Sequence, residues 1–326
     1  MKTEQISKMI KKTIFVGTPE FSVPTLLALT ESEFRPELVI TQPDRPKGRK
    51  LILTPPPVKI IALEKGLKVI QPENINSEDV ISMLKSFQPD IIITISYGGF
   101  IGKEIRKIPP YGVINIHPSI LPKYRGSTPI QTAIINGDDE TAITIFKITA
   151  KMDAGPILFQ RRYPIKSDMN FTQLDDFLAS KSADDLLDFL RYADKLVSID
   201  DYNRIMTTQC IDNVSYTSKV AHETLRINWY QEAKIIHHFI RAFSESPGAF
   251  TTFREKEIKI LKTSISSSLS KQCPGTLFYD KSENQLLIST QSNDLIINQV
   301  QPQGKKIMNI HDFINGYRIQ TGDIFI

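Results

Sequence analysis

DIIITISYGGFIGKEIRKIPPYGVINIH, residues 90–117, contains the two runs that decide the fold. DIIITIS (90–96) is almost wholly apolar and β-branched. A strand with one wet face alternates apolar and polar residues, whereas a strand covered on both faces stays apolar along its length. GVINIH (112–117) is a second extended run, ending on polar residues. Upstream, TIFVG (13–17) and ELVIT (37–41) read as strands, LKVIQP as a further extended piece, and TAITIFKIT (141–149) adds another strand downstream. Between them FSVPTLLALTES (21–32), VKIIALEKG (58–66), SEDVISMLKSFQ (77–88) and QTAIING read as helices, with Ser77 placed to cap an acidic first turn. Alternating β and α segments with continuous apolar strands predict an α/β domain built on a doubly wound, mainly parallel sheet.

The pattern changes towards the C-terminus. A long helical stretch (170–196) precedes a polar run without sustained periodicity, which reads as a linker over 197–216. Beyond it WYQEAKIIHHFIRAF (229–243) is helical, and GAFTTF, EIKILKTS, GTLFYD, QLLIST and LIINQV are short strands punctuated by Gly and Pro. That grammar predicts a small β-barrel or sandwich. The expected organisation is a first domain over 1–196, the linker, and a second domain over 217–326.

With 326 residues, 40% hydrophobic and 23% charged, the composition is that of a globular protein with a sizeable core. No apolar run approaches the ~18 residues of a membrane span. The opening MKTEQISKMI lacks the apolar centre of a secretory signal and reads as a ragged or helical lead-in. Two cysteines, Cys210 and Cys273, are too few for a disulfide framework, so a cytoplasmic location is expected. A net charge of +4 permits a polyanionic partner without requiring one.

The chemically distinctive residues follow strand ends: Gly17, Gln42 to Arg45, Tyr97-Gly98-Gly99, His117 and Asp153. Ligands of open α/β sheets bind outside the carboxyl ends of the strands, so these loops are expected to converge on one crevice. GTPEFS (17–22) carries one glycine where a dinucleotide fingerprint needs three, and no phosphate-binding G-x-x-x-x-G-K-[ST] occurs, which argues against a nicotinamide cofactor or a nucleoside triphosphate. Asn115 and His117 are two apart on a strand and so face the same way. Such a pair is more often structural, yet this one ends at a strand terminated by Pro118. His237 and His238 are adjacent on a helix and diverge, while His222 and His311 stand alone, so no zinc site is expected. Asp153, in MDAGP, is in isolation a turn aspartate. QPDRPKGRKL (42–51) carries four basic residues and one acidic: a solvated loop, or a grip on phosphates.

Taken in order, FVGTPEF, TQPDRPKGRK, NIHPSILPKYRG (115–126) with STPIQ, KMDAGPIL, IRAF and QPQGKK resemble the blocks of the methionyl-tRNA formyltransferases, a branch of the folate-dependent formyltransferases, from about residue 12 to residue 318. The resemblance implies a Rossmann-like formyltransferase domain followed by an OB-like tRNA-binding barrel. It implies 10-formyltetrahydrofolate as formyl donor, initiator methionyl-tRNA as acceptor, no metal, and a monomer acting away from membranes. It assigns Asn115, His117 and Asp153 to catalysis, and Tyr97, Gly98, Ser119, Ile120, Leu121 and Pro122 to the folate site. It assigns Arg45, Lys47, Arg49 and Lys50 to the tRNA. Departures are Ile120 where Leu is usual, Gly99 where Tyr-Gly-Leu is more common, and SESPGAF (244–250) without an aromatic-Pro pair.

The chemistry needs an activated formyl oxygen and a proton for the departing N10, not a serine or cysteine nucleophile. An α-amino group titrates near pH ~8 and is partly neutral already at physiological pH. Asn115 is expected to donate to the developing oxyanion, and His117, protonated with the help of Asp153, to share that task and then protonate N10. The rival readings are a formyltransferase acting on an amino sugar or other small amine, a non-catalytic folate- or tRNA-binding protein, and a deformylase that uses water.

Overall fold

A computed structural model of the protein describes residues 10–48 and 51–326. The lead-in before Ile10 and the basic residues Arg49 and Lys50 lie outside the described residues. The chain divides into two units, one made of Met1–Gly126, Thr141–Tyr163 and Asp175–Tyr216, the other of Ser127–Glu140, Pro164–Leu174 and Thr217–Ile326.

The first unit is organised by a seven-stranded sheet in the order Ile157–Pro164, Glu140–Lys147, Val113–His117, Ile91–Ile95, Thr13–Gly17, Leu38–Ile40, Lys68–Ile70. Thr13–Gly17 runs parallel to both Leu38–Ile40 and Ile91–Ile95, and Ile91–Ile95 is in turn parallel to Val113–His117. The apolar runs predicted to be covered on both faces are so covered: Ile14, Phe15, Val16, Ile91, Ile93 and Ile95 have no exposed surface. Each such side chain contributes about 1.5–3 kcal/mol by leaving water. Helices Val23–Thr30, Pro57–Glu64 and Glu78–Phe87 fall where the helical spacing places them.

One orientation differs from a uniformly parallel reading. Glu140–Lys147 is antiparallel to Val113–His117, pairing Lys147 with Ile114 and Thr144 with His117. Its carboxyl end therefore points away from His117, three residues along the partner strand, or ~10 Å at the usual rise. Asp153 does not reach the crevice as the expected strand-end residue; the loop following Lys147 must carry it back. Gly155 makes that return possible. A Cβ there would lie 1.7 Å from the Lys147 carbonyl oxygen, so only glycine fits. Ile157–Pro164, not anticipated from sequence, supplies the outermost strand.

The second unit holds antiparallel strands paired in the order Ala249–Phe253, Lys256–Leu269, Asn293–Pro302, Gln285–Ile288, Leu277–Asp280, with Met308–Asn309 also on Asn293–Pro302. Lys256–Leu269 is bent by register shifts near Lys262 and beyond Ile265. Helix Ala233–Phe243 buries Ala233, Ile236, Ile240 and Phe243, spaced for one helical face. Ala233, Ile236 and Ile240 join a core with Trp229, Phe253, Ile260, Leu295, Phe313 and Phe325. Helix Pro129–Asn136, although encoded between two strands of the first sheet, packs against Ala233–Phe243.

Candidate active site

Parallel neighbours end together, so the loops after Ile91–Ile95 and Val113–His117 leave the sheet side by side, with Ile95 paired to Ile116. Asn115 sits opposite Thr94, whose Oγ1 lies 2.8 Å from Asn115 Oδ1 and donates to it. The same Oγ1 lies 2.9 Å from the Ile114 carbonyl, and with Oδ1 turned towards Thr94 the amide has Nδ2 as its outward donor. Two residues on, His117 is buried, and its Nε2 donates to the Tyr124 carbonyl at 2.9 Å. Nδ1 stands 3.9 Å from Asp153 Oδ2. This exceeds direct hydrogen-bond length, but one small polar atom can reach both.

From sequence, Asp153 is expected to keep His117 protonated. Asp153 does favour the imidazolium, as does the Tyr124 carbonyl, but burial outweighs both and pushes the imidazole below its ordinary 6.5. With Nε2–H committed to Tyr124, neutral His117 carries its free lone pair on Nδ1, facing the carboxylate. It is built as a proton acceptor.

The turn after His117 is closed internally. Ser119 Oγ donates to the Lys123 carbonyl at 2.7 Å, the Ser119 carbonyl accepts from Thr144 Oγ1 at 2.6 Å, and the Leu121 carbonyl accepts from Gln160 Nε2 at 3.2 Å. Ser119 and Leu121 are buried, while Ile120 and Pro122 are partly exposed. The side chains of the first two therefore shape the turn, and Ile120 and Pro122 keep part of their surface exposed. Tyr97 is buried, and its carbonyl accepts from Thr18 Oγ1 at 3.2 Å and Gln42 Nε2 at 3.4 Å. Gly98 adopts φ +78°, and a Cβ on Gly99 would lie 2.6 Å from the Tyr97 ring. The departure at Gly99 thus accompanies a tyrosine folded across its own backbone.

Residues 197–216, read from sequence as a linker, contribute to this site. Gln209 is buried; its Oε1 accepts from Arg125 Nη2 at 2.7 Å and Nε at 3.1 Å, and its Nε2 donates to the Asp153 and Gly155 carbonyls at 2.8 Å each. Ser215 Oγ accepts from the Tyr124 amide at 2.9 Å. Nothing in the sequence singled out Gln209 or Ser215: a lone Gln and a lone Ser in a polar run carry no periodic signal.

The basic segment forms a hairpin of Arg45–Lys47 against Ile52–Thr54. Arg45 Nη2 contacts Glu73 Oε2 at 2.6 Å, while Asp44 is held by Lys59 and Gln71 at 2.7 Å. Leu51, Ile52 and Leu53 are 73%, 62% and 64% exposed, so the hairpin pairs cationic with apolar surface. No cluster of His, Cys, Asp or Glu suited to a metal ion occurs among the described residues.

The comparisons with known proteins agree with this layout. Residues 11–189 match the formyl transferase family, and residues 219–318 match the formyl transferase C-terminal domain. The chain is 39% identical over 314 residues to a methionyl-tRNA formyltransferase of Lysinibacillus sphaericus, covering 96% of this chain and 98% of that protein. It is 37% identical over 309 residues to one from Thermodesulfovibrio yellowstonii, covering 95% and 97%. The chain belongs to the methionyl-tRNA formyltransferase family. A solved N-formyltransferase from Helicobacter canadensis, in complex with folinic acid and dTDP-3-aminofucose, shares its fold with a TM-score of 0.60 at 20% identity, covering 90% of this chain and 99% of that one.

Proposed function

We infer that this chain transfers the formyl group of 10-formyltetrahydrofolate to the α-amino group of initiator methionyl-tRNA, for translation initiation. Family membership over nearly the full length supports the reading. The observation that carries the chemistry is the placement of buried His117 with Nδ1 3.9 Å from Asp153 Oδ2, two residues from Asn115, whose Oδ1 lies 2.8 Å from Thr94 Oγ1.

Asn115 Nδ2 donates to the formyl oxygen as it becomes an oxyanion. The neutral amine adds to the formyl carbon and becomes cationic. His117 Nδ1, assisted by Asp153, takes one of its protons and passes it to N10 as the C–N10 bond breaks. Formyl-methionyl-tRNA and tetrahydrofolate leave, with no proton gained or lost overall. Backbone around Tyr97 and Gly98, together with the Ser119–Pro122 turn, lines the folate site, where Ile120 and Pro122 supply contact surface. Residues 1–196, with Gln209 and Ser215 from the connecting segment 197–216, carry the transfer chemistry, and 217–326 form an OB-like tRNA-binding domain. Arg45, Lys47, Arg49 and Lys50 meet the tRNA phosphates, and Leu51, Ile52 and Leu53 add exposed apolar surface to the same segment. The protein works as a monomer in the cytoplasm, and among the described residues no helix is long and apolar enough to cross a membrane.

The test offers 10-formyltetrahydrofolate with initiator methionyl-tRNA, elongator methionyl-tRNA, an amino sugar nucleotide or a free amine. Transfer confined to initiator methionyl-tRNA is expected; preferential transfer to the small amines would replace this reading.

A further inference from the structure

We propose that Gln209 is a positioning residue for transfer: its side-chain amide holds the backbone of Asp153 and Gly155 and so sets where the Asp153 carboxylate stands relative to His117. The inference rests on the assignment of His117 and Asp153 to proton handling.

Three consecutive residues anchor three separate parts of the site. The Tyr124 carbonyl accepts from His117 Nε2, Arg125 donates twice to Gln209 Oε1, and the Gly126 amide donates to Asp153 Oδ2 at 2.8 Å. Because both guanidinium contacts fall on Oε1, the amide of Gln209 has one allowed orientation, and its two N–H bonds face the Asp153 and Gly155 carbonyls. All its polar capacity towards the loop is used. The loop needs that hold: Asp153 sits at φ 47°, a region unfavourable for a side chain, on a segment that must return from the end of the strand remote from His117. A carboxyl displaced by even ~1 Å loses alignment with the reacting atoms and lowers turnover without weakening binding to match.

The chemistry at position 209 is specific. Glutamate would keep the shape and both Arg125 contacts yet present lone pairs to two carbonyl oxygens. Methionine would fill the volume with no donor at all. Gln209→Glu and Gln209→Met, in the full-length protein, are therefore compared with wild type for kcat, for KM towards both substrates, and for the His117 imidazole ¹⁵N signals without ligand. We expect kcat to fall on the order of tenfold or more in both variants, with KM within about twofold. We also expect the Nδ1 signal to shift as Asp153 moves away. Unchanged kcat and an unchanged Nδ1 signal would overturn the proposal, as would a KM increase at constant kcat, and loss of folding in both variants would assign Gln209 to stability alone. The imidazole signals need no acceptor, so they decide the clamp even if wild type fails to formylate methionyl-tRNA, an outcome that would sink only the acceptor assignment.

Discussion

Tyr124 and Gly126, two residues apart, hold His117 and Asp153: the Tyr124 carbonyl accepts from His117 Nε2 at 2.9 Å, and the Gly126 amide donates to Asp153 Oδ2 at 2.8 Å. The YRG of NIHPSILPKYRG is thus a fixture for the imidazole and the carboxylate, with the polypeptide between His117 and Tyr124 folded back on itself.

Neutral His117 has a consequence for pH. Burial sets its folded-state pKa below the ordinary 6.5, so the base form persists into mildly acidic solution. Its stability contribution is present above 6.5 and is lost as pH falls through the depressed value, where a proton must enter the buried site. Followed by its imidazole ¹⁵N signals in the ligand-free protein, His117 should titrate with a midpoint below pH 6.5; a midpoint above it would show that Asp153 outweighs burial.

Asn115→Ala removes the amide proposed as oxyanion donor and should lower kcat by roughly 10²-fold to 10³-fold. Thr94→Val leaves the amide in place but frees its orientation, and should cost about 1 kcal/mol of stability with a smaller loss of kcat. Steady-state kinetics beside denaturant melts separate the two. Equal kcat losses in both variants would mean that Thr94 does more than orient the amide.

Gly155→Ala would force a methyl group to within 1.7 Å of the Lys147 carbonyl oxygen. The loop must shift, at a cost of about 1–3 kcal/mol or more, and Asp153 shifts with it. Thermal melts and kcat should fall together; a variant with wild-type kcat would show that this loop does not set the carboxylate.

Neutralising Arg45 and Lys47 should weaken tRNA binding and reduce the slope of log K against log salt by about one per charge. Folate KM should not change. An unaltered slope would return the hairpin to the status of solvated surface.

The sheet was legible wherever burial on both faces imposed a continuous apolar run, as in DIIITIS. Orientation was not: TAITIFKIT reads the same in either direction, and only the register of Lys147 with Ile114 reveals it as antiparallel. ILFQRRYP escaped because an outermost strand with partly exposed positions has no apolar run. Asn115, His117 and Asp153 were legible as candidates through their motif. The protonation of His117 was not, because it turns on how deeply the fold buries the ring. Gln209 was invisible for a related reason: its importance lies in four hydrogen bonds to residues 54 to 84 positions away.

The most direct test replaces His117 with Ala and follows formyl transfer from 10-formyltetrahydrofolate to initiator methionyl-tRNA, with folate affinity measured in parallel. Turnover should drop by ~10²-fold or more while folate binding is largely kept. Near-normal turnover would contradict the account, in which the imidazole beside Asp153 carries the proton from the amine to N10.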